Sequence, residues 1–163
     1  GSRGSVVPFF KQWVAEEKGD LPITDPDMTR FWITLQQGVD FVLTNFQRMK
    51  GGEIFVPKIP SVKITDLAEA VAPGVKTQVV GIRPGEKLHE TMCPQDDSHL
   101  TVEFDDHFVI TPTIKMFRPV EFETNRLSQK GSPVPRGFCY NSGNNPDFLT
   151  VNQIRELHEG ADV

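Results

Sequence analysis

Tyrosine is nearly missing from this chain of 163 residues: Tyr140 stands alone beside 12 phenylalanines. A Tyr-x-x-x-Lys acid–base pair is therefore excluded, because the residue four positions after Tyr140 is Asn144. Cysteine is scarce as well. Cys93 and Cys139 are the only two, and no secretory-type signal accompanies them, so reduced thiols in a cytoplasmic setting are expected rather than a disulfide scaffold. No apolar run approaches the roughly 20 residues that span a bilayer; the longest, Val6-Val7-Pro8-Phe9-Phe10, is divided by a proline. A basic excess is also lacking. Lys and Arg number 17 against 22 Asp and Glu, a formal charge of -5, and Lys11, Lys18, Arg48 and Lys50 are scattered on helix ends instead of forming a nucleic-acid stripe. Neither a Gly-x-Gly-x-x-Gly phosphate loop nor a Gly-x-Ser-x-Gly elbow occurs. His89-Glu90-Thr91-Met92-Cys93 begins like a zinc-protease helix, but Cys93 stands where the second histidine is required, so no metal is expected there.

What is present suffices for a packed core. Apolar residues make up 37% of the chain, with 13 glycines besides, which fits one domain of ordinary size, with room for a small appendage. Apolar spacing predicts a first helix over Val6–Lys18 stopped by Gly19, with Pro8 in its first turn. Leu21–Thr24 reads as extended and Asp25–Asp27 as a turn. A second helix is predicted from about Thr34 to Met49, burying Val39, Phe41, Val42, Leu43 and Phe46 and ended by Gly51-Gly52. Glu53–Val56 reads as a strand. Thr65 is the expected N-cap of a helix over Asp66–Ala72, and Thr77–Ile82 has strand composition. Thr101–Phe104 and Phe108–Ile110 form a predicted hairpin about Asp105-Asp106. Residues 112–149 read as irregular, and Thr150 caps a last helix to about Glu159. The expected class is α/β (mixed α+β as it stands), without the regular alternation of a complete doubly wound sheet.

Three places could carry chemistry. In Gly81-Ile82-Arg83-Pro84-Gly85-Glu86-Lys87-Leu88-His89-Glu90, a strand runs into a loop, and Pro84 restricts Arg83 to extended geometry. An arginine held at a strand's C-terminal end suits bidentate capture of phosphate, with Glu86 orienting a donor or a ribose hydroxyl; a charged turn with a local Arg–Glu pair is the competing reading. In Thr29-Arg30-Phe31-Trp32-Ile33, a cation and a hydroxyl flank large aromatics, fitting either a nucleotide site or a surface arginine beside a core pair. Ser2-Arg3-Gly4-Ser5-Val6 places small residues ahead of a helix, where amides can hold an anion. The group Asp96, Asp97, His99, Asp105, Asp106 and His107 reads as a solvated hairpin rather than a metal site.

Gly1–Phe10, Met28-Thr29-Arg30-Phe31-Trp32-Ile33-Thr34-Leu35 and Gly81–Glu90, together with Ser98-His99-Leu100 and Phe138–Phe148, make the chain resemble the C-terminal half of the inverting UDP-N-acetylglucosamine 4,6-dehydratases. These are extended short-chain dehydrogenase/reductases that begin pseudaminic acid synthesis for flagellin glycosylation. The Arg-Pro-Gly-Glu-Lys motif is shared with retaining relatives, and the Thr-Arg-Phe-Trp-Ile-Thr-Leu stretch favours the inverting group. The resemblance implies a cytoplasmic lyase with tightly held NADP, a UDP-sugar substrate, a homo-oligomer in the complete enzyme, and no nucleic-acid or membrane partner. It places Val6, Val7, Pro8, Phe9, Phe10, Thr24, Arg30, Arg83 and Glu86 along the substrate site, Arg83 on the pyrophosphate or ribose, and Arg3 near the cofactor. No catalytic residue is expected in residues 1–163, which read as a substrate-binding portion with the Rossmann core largely missing. The absent methionine and the single tyrosine are read the same way, as marks of a piece of a longer enzyme that is inactive alone. A non-catalytic nucleotide-sugar binding or assembly module, or part of a retaining dehydratase or epimerase relative, are the alternatives. A first helix lacking its usual sheet is expected to expose Phe9, Phe10 or Trp13 and to promote self-association.

Overall fold

The first helix ends two residues earlier than a glycine stop would allow. In the computed structural model, which describes residues 6–114 and 120–159, α1 runs Val6–Ala15. The amide of Lys18 bonds to the Trp13 carbonyl and that of Glu17 to the Val14 carbonyl, the paired closure of a Schellman cap. The left-handed position of that cap is filled by Glu17, at φ 50, so Gly19 is not the stop.

The chain divides into two units. The first comprises Gly1–Thr34, Pro60–Glu90 and Ser142–Val163, the second Leu35–Ile59 and Thr91–Asn141. In the first unit, β1 (Leu21–Ile23) pairs in parallel with β5 (Thr77–Val79). The pairing continues through the amides of Val80 and Gly81 onto the carbonyls of Ile23 and Thr24. β2 (Thr29–Phe31) pairs antiparallel with β4 (Ser61–Lys63), Arg30 opposite Val62. β4 passes directly into α3 (Ile64–Val71), so Thr65 lies inside the helix and Lys63 occupies the cap without a side-chain bond. The Ile64 amide is instead satisfied by the Met28 carbonyl. α4 (Val151–Glu159) lies against α3, and its entry is a reciprocal box. Gln153 accepts from the Thr150 amide, while Thr150 Oγ1 accepts from the Gln153 amide, as the threonine predicted. Phe10, Leu21, Ile23, Met28, Val62, Leu67 and Ile154 are among the core residues. Phe10 is therefore buried, while Phe9 stays exposed, packed obliquely on Phe10 and Trp13.

The second unit holds α2 (Leu35–Arg48) and an antiparallel sheet in the order β3-β8-β7-β9. These strands are β3 (Ile54–Pro57), β7 (Thr101–Glu103), β8 (His107–Ile110) and β9 (Ser132–Pro133). The predicted hairpin is present, closed by the Phe104 amide on the His107 carbonyl. A short ladder joins β6 (Thr91–Cys93) to β10 (Tyr140–Asn141), the 3-10 helix Gln95–Leu100 follows β6, and β9 and β10 fall in the stretch read as irregular. The only tyrosine is structural here: its hydroxyl donates to the Ile59 carbonyl and accepts from the Ile59 amide.

α2 departs from expectation in its orientation. Its apolar stripe of Leu35, Val39, Val42, Leu43 and Phe46 is exposed, and its buried residues are Asn45 and Arg48. The reason is a polar anchor. The Arg48 guanidinium reaches the Asp106 carboxylate at 2.8 Å and the Asn45 side-chain oxygen at 3.3 Å. His107 is fully buried, stacked on Phe104 at 4.6 Å and bonded through Nδ1 to Asp106 at 2.7 Å. Arg48 and His107 are thus core groups, not the surface cation and solvated histidine that their local sequence suggests. The overall class is mixed α/β, as the pattern predicts.

Candidate functional site

The loop after β5 begins beside β1. Because β1 and β5 are parallel, their C-terminal ends lie together, and the Gly81–Thr24 hydrogen bond of 3.1 Å ties the loop's first residue to Thr24. This end of a parallel pair is where open α/β sheets receive ligands. Gly81 and Gly85 both adopt positive φ, which turns the chain twice within five residues and which only glycine accepts freely. Between them, the Glu86 carboxylate accepts the backbone amide of Arg83 at 2.9 Å, and the Glu86 amide bonds back to the Arg83 carbonyl at 3.0 Å. Glu86 thus fixes the backbone of Arg83 and leaves its guanidinium without an ion-pair partner among the described residues. The local Arg83–Glu86 side-chain pair that competed with the anion-site reading does not form.

Arg30, in β2, meets the far end of the same loop at Leu88 and Glu90. Its Nη1 donates to the carbonyls of Thr29 and Leu88, and Nε lies 3.6 Å from the Glu90 carboxylate. Half-buried, and held by backbone acceptors, it is a fixed cation. Behind it is a network of buried hydroxyls. Thr29 Oγ1 lies 2.8 Å from His89 Nδ1 and 2.7 Å from Ser142 Oγ, partners 60 and 113 residues away. Ser142 Oγ also accepts from the Glu90 amide at 2.9 Å. The backbone of Gly143 lies flat on the imidazole: a Cβ there would stand 2.6 Å from His89 Nδ1. Thr29, His89, Glu90, Ser142 and Gly143 are the members that sequence reasoning missed as a group, because no local spacing connects them.

Of the other expected site residues, Val6 and Val7 are partly buried against the first unit's core, Pro8 and Phe9 are exposed, and Phe10 is inside it. Arg3 lies outside the described residues. Phe9 and Val6–Pro8 form no described hydrogen bond to Arg30 or Arg83. No cluster of three His, Cys, Asp or Glu residues suited to a metal occurs among the described residues. Cys93 is an inert thiol: burial, then Cys139 and Asp97 nearby, push its pKa up to about 12.

A family model described as polysaccharide biosynthesis protein matches residues 1–112. The chain belongs to that family. Within the polysaccharide biosynthesis family it is 56% identical over 158 residues to a UDP-N-acetylglucosamine 4,6-dehydratase (inverting) of Campylobacter jejuni, covering 96% of this chain and 47% of that protein. A UDP-glucose 4-epimerase of Rickettsia felis is 41% identical over 100 residues, 59% of this chain and 29% of its own. Among solved structures, the X-ray structure of Pen from Bacillus thuringiensis superposes with a TM-score of 0.76 at 28% identity, over 99% of this chain and 47% of that one. The chain therefore spans about half the length of the dehydratases and of the solved structure it matches. No helix among the described residues is long and apolar enough to cross a membrane.

Proposed function

We propose that these 163 residues are the substrate-binding portion of an inverting UDP-N-acetylglucosamine 4,6-dehydratase. The identity of 56% along nearly the whole chain to a protein of that name supports this reading. The observation that carries it is Arg83, its backbone fixed by Glu86 and its guanidinium without an ion-pair partner among the described residues, at the C-terminal edge of a parallel strand pair. That geometry suits the pyrophosphate of a nucleotide sugar, which a guanidinium grips with two parallel hydrogen bonds. Arg30 is a second positive charge in the same unit, its guanidinium positioned by carbonyls. Val6–Phe10 and Thr24 are assigned to the same substrate site by the family resemblance, Glu86 acts through Arg83, and Arg3 is assigned to the cofactor.

The reaction removes water. The sugar's 4-hydroxyl is oxidised to a ketone, water leaves across carbons five and six, and hydride returns to carbon six with inversion at carbon five. The product is a 4-keto-6-deoxy amino sugar nucleotide, the first intermediate toward pseudaminic acid for flagellin glycosylation. NADP, when bound, supplies the reversible hydride acceptor. This chain's residues bind and orient the substrate, and its single tyrosine is committed through its hydroxyl to Ile59. We place the enzyme in the cytoplasm, as a homo-oligomer, without nucleic-acid or membrane partners.

The test joins this chain to the segment of the Campylobacter jejuni dehydratase outside the match and follows UDP-N-acetylglucosamine turnover. The joined protein converts the substrate to the 4-keto-6-deoxy product, the 163-residue chain alone does not, and Arg83→Ala raises KM at least tenfold. Turnover by the lone chain, or an Arg83→Ala variant with unchanged KM, would refute the proposal. The relationship to UDP-glucose 4-epimerases favours one competing reaction, and a product that keeps its 6-hydroxyl would establish it.

A further inference from the structure

α2 presents its apolar side to the outside and its polar side to the fold. Leu35, Val39, Val42, Leu43 and Phe46 recur at helical spacing along one stripe, with Leu35 86% and Phe46 63% exposed. The buried residues are Asn45 and Arg48. Beneath the helix, Asn45 Nδ2, Arg48 Nε and His107 Nε2 are buried without hydrogen-bond partners. An amphipathic helix normally buries its apolar stripe. An exposed one of this kind marks an interaction surface.

We propose that this stripe is the seat of the half of the dehydratases that this chain does not span, so that α2 belongs to the interface between the two halves of the complete enzyme. The inference rests on the dehydratase reading above. The curated relatives carry about as much chain again beyond the matched portion, enough for a second core. The chemistry of the helix narrows the occupant. Asp40 is the only charged residue in Leu35–Gln47, and the cation that follows, Arg48, is buried and paired. Interfacial membrane helices carry exposed basic residues along the polar face, and the one basic residue of α2, Arg48, is buried. A second copy pairing stripe to stripe would cover on the order of 500 Å² per chain, short of the ~800 Å² per partner of a standard interface. The occupant is therefore a larger apolar polypeptide surface. β3 follows α2 after five residues and is an edge strand of its sheet, with Ile54 exposed. It offers backbone hydrogen bonds as well as apolar contact.

Cysteine accessibility tests this on one helix. Phe46→Cys and Thr44→Cys place thiols on the apolar and polar faces of α2, both exposed in the lone chain. Labelling by a maleimide is compared between the 163-residue chain and the chain joined to the complementary dehydratase segment. Joining slows Phe46→Cys at least tenfold and leaves Thr44→Cys unchanged. Phe46→Asp is the second measure: it leaves the lone chain's melting temperature in place and lowers that of the joined protein. Equal labelling of both thiols in both proteins overturns the proposal. So does protection of Phe46→Cys in the lone chain that grows with its concentration, which would assign the stripe to a second copy. Turnover is read separately: protection without turnover would sink the dehydratase activity and keep the interface, and turnover without protection the reverse.

Discussion

Gly143→Ala is the sharpest probe of the site's frame. The added methyl would stand 2.6 to 2.7 Å from Nδ1, Cε1 and Cγ of His89, well inside contact distance. The ring cannot swing away freely, since Nδ1 is bonded to Thr29 Oγ1 and Thr29 is buried. The backbone at 143 cannot withdraw freely either, because the neighbouring Ser142 exchanges hydrogen bonds with Glu90 through both its amide and its hydroxyl. Overpacking of a filled site costs ~1–3 kcal/mol, and one partly buried hydrogen bond lost in the adjustment adds about 1 kcal/mol. The expected destabilisation is therefore about 2–4 kcal/mol, and at roughly 2–4 °C per kcal/mol for a chain of this size the melting temperature falls by ~4–16 °C. The assay is thermal denaturation by circular dichroism on four proteins: wild type, Gly143→Ala, His89→Ala and the double variant. With the ring removed, the methyl has nothing to strike, so Gly143→Ala costs under about 0.5 kcal/mol in the His89→Ala background. Two results refute the reasoning: a single Gly143→Ala variant as stable as wild type, or a cost that persists undiminished without His89.

Two further outcomes follow from other parts of the molecule. Glu17 holds the left-handed position of the α1 cap. Relieving its strain by Glu17→Gly gains ~1–2 kcal/mol, and the freer unfolded chain takes back ~0.4–1 kcal/mol; chemical denaturation will show a small net stabilisation, and a loss would contradict the cap assignment. Acid weakens the second unit. Burial pushes the His107 pKa below its ordinary value despite the pull of Asp106, with Arg48 and Lys58 pushing the same way. Burial would raise Asp106, but the hydrogen bonds from His107 and Arg48 prevail and hold it below the usual carboxylate range. In both cases the unfolded chain binds more protons, so stability rises with pH. The histidine contribution is lost as pH falls below 6.5 toward its lowered folded value, and the carboxylate contribution below 3.8. Melting temperatures measured from pH 7.5 to 5 decline, and they decline less for His107→Gln.

Local pattern located most elements and failed where the decision is made at long range. The four described α-helices, the β3 strand and the β7–β8 hairpin are written in periodicity and turn residues over short windows. β9 and β10 are two residues each and exist only because Val102 faces Pro133 and Cys93 faces Tyr140. The face of α2 was misread for a related reason. Its periodicity marks which side is apolar, but the side that packs within the second unit is chosen by Arg48 meeting Asp106 from 58 residues away. At the candidate site, the Arg83–Glu86 loop was legible because proline, glycine and carboxylate act within four residues. The competition between a side-chain pair and a backbone cap was not, since both use the same two residues. The Thr29–His89–Ser142 network joins three segments and leaves no trace in any one of them.

The placement of the aromatics gives the chain an optical channel for one unit. Trp13 and Trp32 both lie in the first unit, and Tyr140, pinned through its hydroxyl to Ile59 and packed beside Phe108, lies in the second. Indole emission excited at its red edge therefore reports the first unit alone, with no label attached, while far-ultraviolet dichroism reports the backbone of both. Whether the halves of this chain melt as one body or as two can be read in a single cuvette from whether the two signals change together.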